Sequence, residues 1–330
     1  MGITLIVIKG KSIYDMSSLV QTATWSGKKS AMPRTLELTM LDSDRAKQAR
    51  PDIDIEEGQK CLFGWNGREL FRGMFVNSSQ ASARSGTYRA YDLGMYLAKN
   101  MGTFTYKKKT GTEIFKDICK KFEIPYEAVD TGYAIPDLTM TNTSAADVVW
   151  KALAKTYKAK GKRHYILAKG DKLCLISRGD NVLKLVVEEG ANVLNFTRQR
   201  SIENTYTRVK IYSDANKVLA TAKDTKIEAK LGIMQYSEQF DKESKANVDS
   251  TAKSLLKIKK QTEETVEVEI IGDVDVYSGM AVYLTLPYLG VNKAYYVDED
   301  EHTFKGELHT MRLKLNAVND VEGADDADKD

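Results

Sequence analysis

Three histidines, three cysteines and one run of acids are the residues of this 330-residue chain best equipped for chemistry. His164, His302 and His309 show neither HxxxH nor HExxH spacing, so no two of them share a helix face as zinc ligands. His302 follows Asp298, Glu299, Asp300 and Glu301, a set of oxygens that could hold a hard cation, although acid-rich turns between strands are ordinarily just solvated. Cys61, Cys119 and Cys174 are odd in number, far apart and never in a CxxC, which predicts reduced, buried thiols and neither a disulfide framework nor a thiolate metal site.

The remaining motifs are as plain. Gly27-Lys28-Lys29-Ser30 lacks the upstream glycine of a phosphate-cradling loop and reads as a basic hairpin loop. The carboxylate pairs Glu56-Glu57 and Glu188-Glu189 are adjacent in sequence, so on a strand they point to opposite faces and cannot flank one bond. Arg178-Gly179-Asp180 follows a predicted strand and reads as a turn. No GxSxG elbow is present. These residues nominate no catalytic, cofactor-binding or metal-ligating set, and the expectation is a chain that is not an enzyme and carries no cofactor.

Composition agrees with a folded, multi-unit protein: 42% of residues are hydrophobic and 29% charged. Lys plus Arg number 49 against 46 Asp plus Glu, a net +3 too balanced for a dedicated nucleic-acid or membrane-surface binder. No apolar stretch approaches the ~20 residues that span a bilayer, and the first nine residues lack the flanks of a signal peptide. Charge is nevertheless uneven. Asp320, Glu322, Asp325, Asp326, Asp328 and Asp330 against Lys329 make an acidic tail over residues 319–330, expected to be solvated. Basic residues crowd the middle, at Lys107, Lys108 and Lys109 and at Lys158, Lys160, Lys162 and Arg163.

The elements that would position these side chains follow from periodicity. Leu36, Leu38 and Met40 alternate with polar residues on one strand, and Cys61, Phe63 and Trp65 on another that ends at the hairpin dipeptide Asn66-Gly67, with residues 70–76 returning. Asp92 is placed to cap a short helix through Leu97. Thr110-x-x-Glu113 is a capping box that opens a helix with Ile114, Phe115, Ile118, Cys119 and Phe122 on one face. Ser144-x-x-Asp147 opens a second, and residues 164–168 and 172–177 read as a hairpin. Strands resume at Val209 and Ile211, a helix spans residues 248–260, and strands follow at 265–270, 281–286, 294–297 and 308–315.

One pattern recurs. The segment 35–42 lies over 265–272, and Gly58 is followed at +3, +5 and +7 by Cys61, Phe63 and Trp65 as Gly279 is by Val282, Leu284 and Leu286. A return strand and a further strand complete each copy. One chain thus holds two similar antiparallel barrels, and three chains would present six near-equivalent units able to close a ring. The expected fold is α+β, mostly β: a first tube-like β-barrel domain at 1–98, a small α+β domain at 99–182, a discontinuous second barrel at 183–212 and 262–318, an inserted segment with a helix at 213–261, and the tail.

The opening strand, Trp25-Ser26-Gly27 before Pro33-Arg34-Thr35-Leu36, the Gly-x-x-Cys-x-Phe hairpin with Leu70-Phe71-Arg72-Gly73, Tyr91-Asp92, the capped helix from Thr110 and the closing Tyr295-Tyr296-Val297 segment together resemble the PBSX-like prophage baseplate hub family of contractile tails. The resemblance covers residues 3–318. It implies a homotrimeric structural protein of a phage tail or tail-like bacteriocin, which joins the six-fold tail tube protein to the three-fold central spike protein beside other baseplate proteins, with no membrane and no specific nucleic acid as partner. Assembly in the producing cell's cytoplasm and a final place at the baseplate follow from the same resemblance. Relatives often carry the label of cell-wall hydrolases, but no catalytic residue carries over to this chain. The alternative is a peptidoglycan-binding or peptidoglycan-hydrolysing tail-associated module, suggested by a faint resemblance of residues 110–125 to a LysM repeat. The interface residues expected are Lys28, Lys29 and Arg34 for ring or tube packing, and Lys107, Lys108 and Lys109 for an acidic neighbour.

Overall fold

The computed structural model describes residues 2–29, 31–41, 55–82, 85–177, 182–188, 192–213, 215–239 and 245–317. Ser30, the Arg178-Gly179-Asp180 turn, Glu189 and the acidic tail lie outside them. The chain opens with β1 (Ile3–Lys9), β2 (Ser12–Asp15), β3 (Val20–Lys28), β4 (Thr35–Leu41), β5 (Lys60–Trp65), β6 (Arg68–Ser82) and β7 (Ser85–Tyr91). Helix α1 (Gly94–Lys99), β8 (Met101–Thr110), α2 (Gly111–Lys121), β9 (Tyr126–Ala128), β10 (Ala134–Ser144), α3 (Ala145–Lys160), β11 (His164–Lys169) and β12 (Lys172–Ser177) follow. The remainder carries β13 (Val182–Glu188), β14 (Val193–Ser201), β15 (Arg208–Tyr212), β16 (Val218–Lys223), α4 (Thr225–Leu231), β17 (Gln235–Gln239), α5 (Lys245–Lys259), β18 (Glu263–Ile271), β19 (Ala281–Leu286), β20 (Val291–Lys305) and β21 (Leu308–Asn316).

The expected mostly-β α+β fold and the internal repeat both hold. In the first module β4 pairs with β7, β7 with β6 and β6 with β5; in the second β18 pairs with β21, β21 with β20 and β20 with β19. The registers agree residue by residue, Thr35 facing Tyr91 as Thr265 faces Asn316, and Lys60 facing Met74 as Ala281 faces Tyr296. Two irregularities recur at the same places, while the shifts at Phe63/Gly64 in β5–β6 and at Gln80/Ser82 in β6–β7 have no counterpart in β19–β20 or β20–β21. The β3–β4 ladder shifts between Val20 and Thr22 and the β14–β18 ladder between Val193 and Asn195; β6–β7 shifts between Phe75 and Asn77 and β20–β21 between Val297 and Glu299. A bulge adds a residue to one strand and sharpens its twist, so identical bulges impose the same curl on both modules. Even the turn is repeated: the Gly58 amide donates to Phe75 O as Gly279 does to Val297 O, and both glycines have positive φ.

The two modules are joined through one strand. The distal half of β20 pairs with β3, from Glu299 opposite Lys28 to Phe304 opposite Ala23, which fuses both modules into one 13-stranded sheet. Each module keeps its own core, Leu5, Leu36, Leu38, Phe63 and Phe75 in the first and Val266, Val268, Leu284, Tyr295 and Leu313 in the second. The two copies differ at one edge, where β1 joins β5 antiparallel but β13 joins β19 parallel.

The α+β unit forms its own core around Ile114, Phe115, Ile118, Val148, Val149 and Leu153. Its helices start where the capping residues say: the Thr110 hydroxyl accepts from the Glu113 amide while Glu113 accepts from the Thr110 amide, and Ser144 accepts from Asp147. The inserted unit starts earlier than expected. β15, assigned from sequence to the second barrel, pairs with β16 and β17 and buries Val209 and Ile211 beneath Val248, Ala252 and Leu255 of α5. Alternation identifies a strand without naming its partner, and the helix supplies the apolar face that decides.

At the seam between the modules His302 and His309 meet across the β20–β21 hairpin, with His302 Nδ1 3.0 Å from His309 Nε2 and His302 Nε2 2.8 Å from Val276 O. Burial pushes both imidazoles down to about 4, the proximity of the two rings adding to the fall at His309. Between pH 6.5 and 4 the unfolded chain therefore binds protons that the folded chain refuses, and stability falls through that window. Asp92 works in the opposite sense: burial, opposed by the Gly94 amide and Arg34, pushes it up to about 6, so the folded chain takes a proton there first. His309→Gln keeps a donor toward His302 and removes one histidine; its melting temperature, scanned from pH 7 to 4, is expected to fall less steeply than that of the parent chain, and an unchanged slope would overturn the assignment.

Candidate functional site

The seam collects the residues that sequence reading noticed separately. β3 ends in Lys28, the loop after it carries Lys29 and Arg34, and β20 brings Asp298, Glu299 and Asp300 alongside. Lys28 Nζ lies 3.1 Å from Glu299, which also holds Lys314 at 3.3 Å. Lys29 Nζ lies 2.8 Å from Asp298, and its amide donates to the Asp298 carbonyl at 2.9 Å. Arg34 grips Asp300 with both terminal nitrogens and reaches Ser278 Oγ at 3.2 Å, while the Ser278 amide donates to Asp300 Oδ1 at 2.6 Å. The acid run is thus a row of counter-ions for the basic loop.

Lys29, Arg34, Asp298 and Asp300 are all buried. Burial by itself would raise the Asp300 carboxyl, but the Arg34 guanidinium and its hydrogen bonds outweigh it and hold Asp300 below the usual carboxylate range. Arg34 also lies over the Trp25 ring, 4.3 Å from its centroid, so the guanidinium is stacked as well as paired. Gly27 makes this possible: a Cβ there would collide with the Arg34 guanidinium. A cleft of about 460 Å³, lined by Trp25 and Arg34 of the seam, by the β5–β6 hairpin and by the β11–β12 turn, carries the 2.6 Å Arg68–Asp275 pair and Arg72 on Glu69.

The other sequence candidates lie apart from the seam. Lys107, Lys108 and Lys109 sit near the end of β8, exposed, with Lys109 bonded to Glu113 at 2.8 Å and the strand paired to β10. Cys61, Cys119 and Cys174 are free and buried; burial pushes the first two thiols up to about 12 and raises the third. His164 begins β11, on a different sheet from the histidine pair. Among the described residues no three His, Cys, Asp or Glu side chains gather as a metal site, and no helix is long and apolar enough to cross a membrane. Sequence reading missed Ser278 and Gly27 as seam residues. Gly279, singled out as a repeat marker, was the available pointer to the first.

Residues 23–316 match the YQBQ-like family. The chain is 31% identical to the uncharacterized protein YqbQ of Bacillus subtilis (strain 168), over 97% of this chain and 98% of that protein. It is also 31% identical to the phage-like element PBSX protein XkdQ of the same strain, over 95% and 96%. Among solved structures it is similar to the 43 kDa tail protein of prophage MuSo2 from Shewanella oneidensis, with a TM-score of 0.69 at 15% identity, over 95% of this chain and 96% of the other. The resemblance read from the residues is borne out: this chain belongs to the YQBQ-like family, with a PBSX relative along nearly its whole length and a phage-tail type of β fold.

Proposed function

We propose that the chain is a structural hub subunit of a contractile phage tail or tail-like bacteriocin, three copies of which close into a pseudo-hexameric ring between the six-fold tail tube and the three-fold central spike. The observation that carries this is the duplicated module, with its shared strand order, registers and bulges. A chain holding two like modules offers a six-fold partner six similar surfaces when it is trimeric, and such a ring needs no catalytic group. The full-length PBSX relative and the tail-type fold support it. In this reading the ring consists of residues 1–98 and the second module, and the α+β and inserted units project from it. The Lys107, Lys108 and Lys109 end of β8 meets an acidic neighbouring tail protein, and the particle's baseplate is the final location.

Native mass measurement of the purified full chain is expected to give three 37.0 kDa subunits, and a stable dimer or tetramer would contradict the proposal. A zymogram on peptidoglycan is expected to stay blank; lysis abolished by one acid-to-amide change would favour the cell-wall alternative.

Within each subunit the seam must carry load between modules. Arg34→Met leaves Asp300 buried without its counter-ion, a change that costs about 3–5 kcal/mol. Denaturant titration is expected to show that loss, with Arg34→Met combined with Asp300→Leu recovering part of it. Equal loss in the double variant would mean that packing on Trp25, and not the ion pair, holds the seam.

A further inference from the structure

The β20–β3 junction has a counterpart that one chain leaves open. Following the matched registers, residues 299–302 of β20 correspond to 77–80 of β6, and residues 25–28 of β3 to 198–201 of β14. Among the described residues, β6 beyond its bulge pairs only with β7, and β14 only with β18. Among the described residues neither edge carries a further strand, and the two edges do not meet in one chain because β18, β21, β20, β3, β4 and β7 stand between them. Leu194 and Ile202, on and just past β14, are 58% and 48% exposed, more apolar surface than a free edge normally shows.

The chemistry of the two edges is complementary in a specific way. In the first module the seam guanidinium comes from Arg34 and fills the space left by Gly27. In the second, Gly27 corresponds to Arg200 and Arg34 to Glu264: the guanidinium rises from the other position, 3.7 Å from Glu264 and 61% exposed. Its acceptor is exchanged as well. Asp300 corresponds to Ser78 and Ser278 to Glu57, the residue before Gly58, and the Ser78 hydroxyl donates to Glu57 at 2.5 Å. That bond, together with backbone amides, keeps the Glu57 carboxyl below its ordinary range and so ionised. The seam's set of Arg34, Asp300 and Ser278 thus has a counterpart in Arg200, Glu57 and Ser78 on exchanged positions, beside which Glu264 also holds Arg198 at 3.2 Å.

We propose that Arg200 of one copy pairs with Glu57 of the next across a β6–β14 junction, in the antiparallel register that sets residue 77 opposite 201 and 80 opposite 198. The inference rests on the ring reading and names the contact that closes it. The partner is a second copy of this chain because the missing strand for each edge is the other edge, and repeating the β20–β3 relation from copy to copy returns to the start.

The test uses the full chain with Glu57→Gln, Arg200→Gln and both together, and reads the trimer by mass photometry across a dilution series, with thermal melts confirming that each variant is folded. Each single change is expected to raise the concentration of half-assembly about tenfold, and the double change no further than either alone. Multiplied effects in the double variant would show that the two residues do not touch. Independently, Ser79→Cys with Gln199→Cys places thiols at the positions equivalent to Glu301 and Ser26, which face each other within the chain. Oxidation is expected to give a covalent trimer, while Ser79→Cys with Thr197→Cys does not; the native thiols are buried and do not compete. A trimer that cross-links only through the second pair, or through neither, would overturn the junction and leave the ring standing. A chain that stays monomeric at every concentration would overturn both.

Discussion

A bent strand with two neighbours on one side organises this molecule. β20 runs 15 residues, gives its first half to β19 and its second half to β3, and has β21 along its other edge from Tyr296 onward. Because the strand period is two, the β20–β3 register decides which face of each strand points inward; a slip by one residue would turn Phe304 or Trp25 out of the first module's core, which holds both. Main-chain bonding alone does not select that register. The Lys28, Lys29 and Arg34 partners do, since each meets its acid only in this alignment. Burying such ions seldom adds net stability, because desolvation offsets most of the attraction, but a displaced register would strand charges without counter-ions. The seam is better understood as a device for alignment than as a source of free energy.

The duplication explains why the irregularities are kept while the side chains are not. Between the modules Trp25 corresponds to Arg198, Arg34 to Glu264 and Asp300 to Ser78, yet the bulges, the glycine turn and its hydrogen bonds coincide. Curl and strand direction depend on backbone geometry, so those features determine whether a module fits a neighbour of the same shape. Side chains at the edge determine which neighbour it accepts. The two layers can therefore vary separately, and a chain with one shape and two edge chemistries is the outcome.

Much of this was legible in the residues. Leu36, Leu38 and Met40 against Val266, Val268 and Ile270 are buried at matching positions, and alternation over a fixed register is a local signal that a single sequence displays. The capping residues Thr110 and Ser144 located their helices for the same reason. The seam was not legible as a seam. Asp298 to Asp300 have the composition of a solvated turn, and only the fold supplies basic partners from some 270 residues earlier in the chain. β8 and β10 escaped notice because both are exposed on most positions, and Lys107, Lys108 and Lys109 interrupt whatever alternation β8 has. β15 alternates correctly but finds its apolar cover on a helix that follows it by more than 30 residues.

The contrast between the β20–β3 junction and the proposed β6–β14 junction follows from when each would form. Covalent connection keeps β3 and β20 at high effective concentration, so their edges meet as the chain folds and can hold ions that are then sealed from water. In the proposed junction the edges of 77–80 and 198–201 stay soluble on a free subunit and refuse stray strands until a correct partner arrives. Hydroxyl and amide side chains at Asn77, Ser78, Ser79 and Gln80 suit that requirement, and so does keeping the charges on Glu57 and Arg200, both exposed here. Had Arg34 and Asp300 been repeated unchanged in the second pair of edges, each free chain would carry an open buried-type ion site able to capture its own seam strands from another molecule. Permuting the hosts of the guanidinium and the carboxylate removes that competition, since an Arg200 edge laid against β20 would crowd a position that only glycine has space to fill.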